Sequence, residues 1–408
     1  MMMVEKIKTS IPVLDDHLAG GLMSKSITTL WATPGIDTSP FVYQIIVERL
    51  ESGDKCIFLN QSKMSKAIIR EIEAFGWDIQ RYIDQGKFFF VDAYSGLLNA
   101  KSKEKYHVPN PRDANSITET IKKVLDDTKD GHILFVYDSI STLIDHCGER
   151  TIDIIPTWKK ILNENNSTGV LTFTEWPYED YVLEKLREYS DAIIELKAIE
   201  EKVILREFFV VSKVTWNGKA KKGVTVPFKV AVPGGVMVYI PKILVTGPYN
   251  AGKTSFIHSI SDRAVSVDRF GTTIALDHGH VEYAGFSVDL FGTPGQERFD
   301  PILEKLGEES LGVIVVIDST DPDSFPRVKE MLAKTRAAGL PYVIVANKAD
   351  LPGALSPEEI RERMKLPKDV PIIPVTAENL SKVEKDKPAK LKKEEVRKVL
   401  MTLFSRIV

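Results

Sequence analysis

Long apolar runs, cysteine and any excess of basic charge are what this 408-residue chain lacks. No uninterrupted apolar stretch approaches the ~20 residues that a membrane-spanning helix needs, so the sequence offers no basis for a membrane partner. Cys56 and Cys147 are its only thiols, which excludes a disulfide framework. The opening residues, Met1 to Lys6, have neither the basic start nor the apolar core of a secretory leader, and a cytoplasmic location is expected. Lysine and arginine number 54 against 57 acidic residues, a net charge of −3, so there is no electrostatic case for nucleic acid. What remains, 43% hydrophobic and 27% charged residues, suits a globular protein and excludes disordered and fibrous classes. The length is too great for one ordinary core and predicts about two domains.

Apolar, β-branched runs bounded by Gly, Pro and Asp alternate with helix-period segments, the pattern of parallel sheets flanked by helices. An α/β fold is therefore expected in both halves. In the first half the predicted strands are 26–31, 56–60, 87–91, 133–137, 169–174 and 192–197, joined in part by helices over 40–50, 66–75 and 116–126. The runs 203–214, 224–230 and 236–240 have no helical period between them and predict antiparallel strands closing the sheet. Polar stretches at 99–115 and 381–393 predict surface loops. No flexible linker separates the halves: Val236–Ile240 reads as a strand, Pro241 breaks it, and Lys242–Thr246 begins the next. The expected domains are 1–240 and 241–408, and so short a join restricts their relative orientation.

In the second half, Gly247-Pro-Tyr249-Asn250-Ala251-Gly252-Lys253-Thr254, followed by Ser255, has the G-x-x-x-x-G-K-[ST] spacing between a strand and a helix. Small residues at Gly247, Ala251 and Gly252 let backbone N–H groups wrap phosphates. Lys253 reaches the outer phosphates, and the Thr254 hydroxyl is placed for Mg2+. About 95 residues on, after another apolar strand, comes Asn347-Lys348-Ala-Asp350. A carboxylate there accepts both the ring N–H and the exocyclic amino group of guanine, a pairing adenine cannot offer.

These motifs, with Asp289-Leu-Phe-Gly292-Thr-Pro-Gly295-Gln296-Glu-Arg-Phe299 between them, resemble the Ras-like small GTPases. The resemblance implies that Gly295 donates its N–H to the γ-phosphate and that Gln296 orients the attacking water. Thr376-Ala377 stands where such domains buttress the base, although Glu378 replaces their lysine. Thr273, with Thr272 as the alternative, resembles the switch threonine that closes over Mg2+. Further readings accompany the match. Gly292 occupies the place of the magnesium-associated aspartate, and Asp289, an odd number of strand residues away, faces the other side. Asp277 reads as a strand-end or turn aspartate, with a place in the metal shell as the lesser alternative. Tyr249 is bulky where Gly or Asp is usual, and is expected to crowd the γ-phosphate. Arg269 reads as a surface arginine, with the built-in arginine of heterotrimeric G-protein α subunits as the alternative.

The first half resembles RecA-fold ATPases of the KaiC-like family. The match runs from Ile7-Lys-Thr-Ser-Ile-Pro through Ala19-Gly-Gly-Leu22, Phe75-Gly-Trp77-Asp78 and Phe90-Val-Asp92 to Gly234-Gly-Val-Met-Val-Tyr239. Archaeal members are common there, so an archaeal source is expected. The family's phosphate loop is degenerate: Thr38 stands in place of the lysine and Asp37 in place of a glycine. Loss of a cation and gain of an anion both oppose ATP binding. Asn60 and Gln61 replace the water-activating carboxylates, while Asp138 keeps the metal-associated position. The sequence thus predicts a guanine-nucleotide switch that uses GTP/GDP with Mg2+ and hydrolyses slowly, with an inactive ATPase-like domain as its interaction module. A protein partner recognising the switches is expected, and the RecA-like fold is compatible with an oligomer. A non-hydrolysing guanine-nucleotide scaffold and a RecA-like DNA-binding accessory protein are the alternatives.

Overall fold

A computed structural model describes residues 5–201, 204–216, 219–261, 263–267, 276–283, 285–308, 310–336, 339–378 and 389–407. Two compact units result, Met1–Val238 and Tyr239–Val408.

The first unit is a parallel sheet with Ile27–Ala32 near its centre, paired with Ser167–Thr174 on one side and Ala192–Glu201 on the other. Ile133–Asp138, Lys55–Asn60, Phe88–Asp92 and the short Tyr106–His107 extend it beyond Ser167–Thr174. All six residues of Ile27–Ala32 are buried, as expected of a strand covered on both faces. Helices cover those faces. In Ala114–Asp127, Ile117, Ile121, Val124 and Leu125 recur on one stripe and are buried, and the Asp113 carboxylate caps the first turn by accepting from the Asn115 N–H. Trp158, on the helix Ile155–Glu164, stacks on Tyr137 at 4.9 Å and donates its indole N–H to Thr118 Oγ1 at 2.8 Å. The antiparallel strands Ile204–Val214 and Thr225–Ala231 follow Ala192–Glu201, as the missing helical period predicts.

One expectation is corrected. Pro241 does not break the chain's extended run, because Gly235–Thr246 is a single strand. Its residues up to Val238 pair with Thr225–Ala231, and those from Ile243 pair with Gly312–Asp318. Pro241 lies outside both of these registers.

In the second unit the sheet order is Arg263–Val267, Leu276–Tyr283, Phe286–Gly292, the latter part of Gly235–Thr246, Gly312–Asp318, Tyr342–Asn347 and Ile372–Pro374. The first three strands form two antiparallel neighbouring pairs, and the ladders from Ile243 onward are parallel. The C-terminal helix Lys393–Ile407 buries Val396, Val399, Leu400, Leu403 and Phe404, a helical stripe whose last ring meets Phe286 at 4.7 Å. Among the described residues no helix is long and apolar enough to cross a membrane. Of the polar stretch 381–393, residues 381–388 lie outside the described residues.

Candidate functional site

The parallel strand ending at Thr246 runs directly into the loop 247–252 and the helix Lys253–Ile260. Gly247 has φ +147°, and a Cβ there would lie 2.0 Å from the Val316 carbonyl oxygen; Gly252 has φ +96°, and its Cβ would lie 2.1 Å from Asn347 Nδ2. Neither position admits a side chain, so the loop must be built from glycine at both ends. Asn250, at φ 60°, turns the chain between them. The Lys253 ammonium folds back under the loop, donating to the Gly247 and Pro248 carbonyls at 2.9 and 2.7 Å. Burial pushes it down to about 8, partly offset by the Asp277 carboxylate. Tyr249 stands outward on this loop and is 68% exposed.

The segment Asn347-Lys348-Ala349-Asp350 is joined to this loop through the Asn347 amide. Asn347 ends the strand Tyr342–Asn347 and donates Nδ2–H to the Ala251 carbonyl at 2.8 Å. The Asn347 Oδ1 and Asp350 Oδ1 atoms are buried without a hydrogen-bond partner, while Asp350 Oδ2 accepts from the Ala377 N–H at 3.2 Å. Acceptors left unpaired in this way cost about 1–3 kcal/mol each, and a ligand edge rich in N–H groups removes that cost. The ring N–H and exocyclic amino group of guanine are donors of the kind the Asp350 carboxylate accepts. Lys348, held at φ 59°, donates to the Asp318 carboxylate. Burial alone would push Asp318 up, but the bonds from Lys348 and Thr320 outweigh it and hold the carboxyl below its usual range.

Thr376 is placed by a residue that has no sequence motif. The Glu395 carboxylate, on the C-terminal helix, accepts from the Thr376 N–H at 2.7 Å and from its hydroxyl at 3.0 Å. The same C-terminal segment occupies Ser255, whose hydroxyl accepts from the Ala389 N–H at 3.0 Å.

Gly295 comes against the phosphate loop: a Cβ there would lie 2.4 Å from Pro248 C and Tyr249 N. Here close approach, not backbone conformation, demands glycine. Gln296 is exposed and makes no side-chain hydrogen bond among the described residues. Asp289 accepts from the Tyr239 hydroxyl at 3.1 Å and pairs with His280 at 2.7 Å, on the strand face opposite to Gly292. Thr254 instead donates its hydroxyl to Asp277 Oδ2 at 2.6 Å. A hydroxyl and a carboxylate are hard oxygen donors of the kind Mg2+ takes beside phosphate oxygens and water, so these residues fit that ion. Gly271, Thr272, Thr273 and Arg269 lie outside the described residues.

Gly252→Ala places a methyl group on the Asn347 amide and strains a positive φ. We expect a loss of about 1–3 kcal/mol. In a thermal melt of the full chain this lowers the second unit's transition by roughly 3–10 °C. An unchanged melting curve would contradict the bridge.

In the corresponding loop of the first unit a side chain takes up a backbone donor. Asp37 Oδ1 accepts from the Ser39 N–H at 2.9 Å, so a resident carboxylate takes a helix-start donor that a phosphate would use. Lys63 pairs with Glu71 at 2.9 Å and reaches Ser39 Oγ at 3.4 Å. Gln61 is committed to Pro111 and Tyr137, and Asn60 to the Lys63 carbonyl. Burial raises the Asp138 carboxyl, which accepts from Ser62 and Thr172.

Both units are P-loop NTPase folds. Residues 7–243, more than half of the chain, match the KaiC family of ATPases, and the chain belongs to that family. Residues 239–403 match the ADP-ribosylation factor family, so the KaiC-like domain is fused to an Arf/Ras-like domain. Such a domain implies guanine nucleotide, typically with Mg2+. Relatives of the first unit include a UPF0273 protein of Aeropyrum pernix, 32% identical over 173 residues that cover 41% of this chain and 68% of the relative. Another, from Thermotoga maritima, is 30% identical over 169 residues, covering 41% and 69%. A KaiC-like protein structure from Pyrococcus horikoshii covers 58% of this chain and 99% of its own, at 22% identity and a TM-score of 0.48.

Proposed function

We propose that this protein is a cytoplasmic guanine-nucleotide switch whose second unit binds Mg-GTP and hydrolyses it slowly, and whose first unit is an interaction module without ATP turnover. The observation that carries this reading is the Asn347 bridge to Ala251, which holds an unpaired Asp350 acceptor in register with the phosphate loop. Lys253 and the Gly295 N–H supply positive charge to the transferred phosphoryl group, and Gln296 aligns water on the side away from the leaving GDP. Thr254 and its neighbouring carboxylate would hold Mg2+, and the ion would supply neutralisation of phosphate charge. Thr273 would close over the same region. The γ-phosphate orders such segments by direct contact, so a protein partner touching them prefers one nucleotide state.

Single-turnover assays with the full chain test this. GTP cleavage is expected well below about 1 s⁻¹, and Gln296→Leu should lower it by about tenfold or more. Equal binding of ATP and GTP would sink the reading. Binding of GTP without cleavage at any magnesium concentration would reduce the protein to a guanine-nucleotide scaffold.

A further inference from the structure

We propose that Asp277 is the metal-associated carboxylate of the second unit, supplied from the strand beside the one on which Gly292 stands. The inference rests on the guanine-nucleotide reading above. Its basis is the strand register. Asp277 and Gly292 are directly opposed in the antiparallel ladder between Leu276–Tyr283 and Phe286–Gly292. Opposed residues point to the same face of a sheet with neighbouring Cβ atoms, so a carboxylate moved across one rung stays beneath the same helix.

That helix is Lys253–Ile260, and it sits close. A Cβ at Gly279, two residues along the same face from Asp277, would lie 2.0 Å from Ser261 Oγ and 2.7 Å from Ile257 Cγ2. With Gly279 and Gly292 both bare, the first turn of the helix descends until the Thr254 hydroxyl is 2.6 Å from Asp277 Oδ2. A Cβ at position 292 would come within 3.0 Å of Asp277 Cβ and 2.8 Å of Ile257 Cδ1. The space under Thr254 therefore admits one acidic side chain, and in this chain it comes from Asp277. By accepting the hydrogen bond from the Thr254 hydroxyl, Asp277 leaves the hydroxyl's lone pairs for a cation on the phosphate side, and it adds a full negative charge to the metal's surroundings. Its field also reaches Lys253. Asp289, committed to His280 and Tyr239 on the other face, does not compete for the role.

The test titrates Mg2+ against binding of a fluorescent N-methylanthraniloyl GDP, using the full chain as wild type, Asp277→Asn and the double variant Asp277→Gly/Gly292→Asp. In EDTA, Asp277→Asn should bind as well as the wild type or better, because a negative charge near the phosphates is gone. Its magnesium midpoint should rise by about ten- to hundredfold. The double variant, which returns the carboxylate to the opposite rung, should bring the midpoint back toward the wild-type value. Asp277→Asn with intact EDTA binding and an unchanged midpoint would overturn the assignment, even if the double variant failed to fold. A folded double variant that stays at the Asp277→Asn midpoint would overturn the interchange of the two positions. Failure of the wild type to bind the probe with or without magnesium is a separate result, which refutes the guanine reading and the assignment with it.

Discussion

Asp350→Asn is expected to weaken GDP and GTP binding by about a hundredfold or more and to create a preference for xanthine nucleotides. The carboxylate presents two acceptors, of which Oδ1 is buried and unpaired and Oδ2 meets the Ala377 N–H. Guanine satisfies both with its ring N–H and amino group. An asparagine keeps one acceptor but turns the other position into a donor, which faces the guanine amino group with like polarity. Xanthine carries a carbonyl where guanine has that amino group, so the reversed pattern fits it. Competition of XDP and GDP against a fluorescent nucleotide measures the change. Retention of the wild-type order of preference would show that the base is not read at Asp350.

Lys253→Ala should abolish detectable guanine-nucleotide binding, a loss of roughly 3–5 kcal/mol or two to four powers of ten in affinity. The buried ammonium is already inside the loop, held by two carbonyls, and phosphate oxygens would find it in place with little rearrangement. Its removal leaves those carbonyls and the anionic ligand without their shared cation. Thr38→Ala, in the degenerate loop of the first unit, should leave GTP binding unchanged. The Lys253→Ala chain also isolates the first unit, where Asp37 takes the Ser39 N–H and Lys63 is paired with Glu71. Isothermal titration with Mg-ATP should then give no heat of binding, and a measurable ATP site in this variant would contradict an inactive first unit.

Much of the fold was legible because central strands here are short, wholly apolar and punctuated by turn residues. Lys55–Asn60 and Ile133–Asp138 fall within a residue of their expected limits for that reason. Pro241 was misread because local rules treat proline as a break. Whether a missing N–H matters depends on which ladder the residue faces, and that is a property of the partner strands. Glu395 had no signal at all: it lies 19 residues from Thr376, and only the docking of the C-terminal helix makes the two neighbours.

By itself the sequence determined the chemistry that depends on residue identity at fixed local spacing. A Gly-rich turn before Lys253 and Thr254, a carboxylate at Asp350, and Thr38 with Asp37 in place of a lysine and a glycine each have their consequence within a few covalent bonds. Only the tertiary structure decided what lies opposite what. Asp277 and Gly292 are 15 positions apart in the chain, yet they share a rung, and the bare face at Gly279 and Gly292 lets Thr254 descend onto the carboxylate. Strand register and the approach distance of a helix arise from the packing of whole elements. No local spacing encodes them, and so an aspartate that reads as a strand-end residue becomes the acidic neighbour of the phosphate-loop threonine.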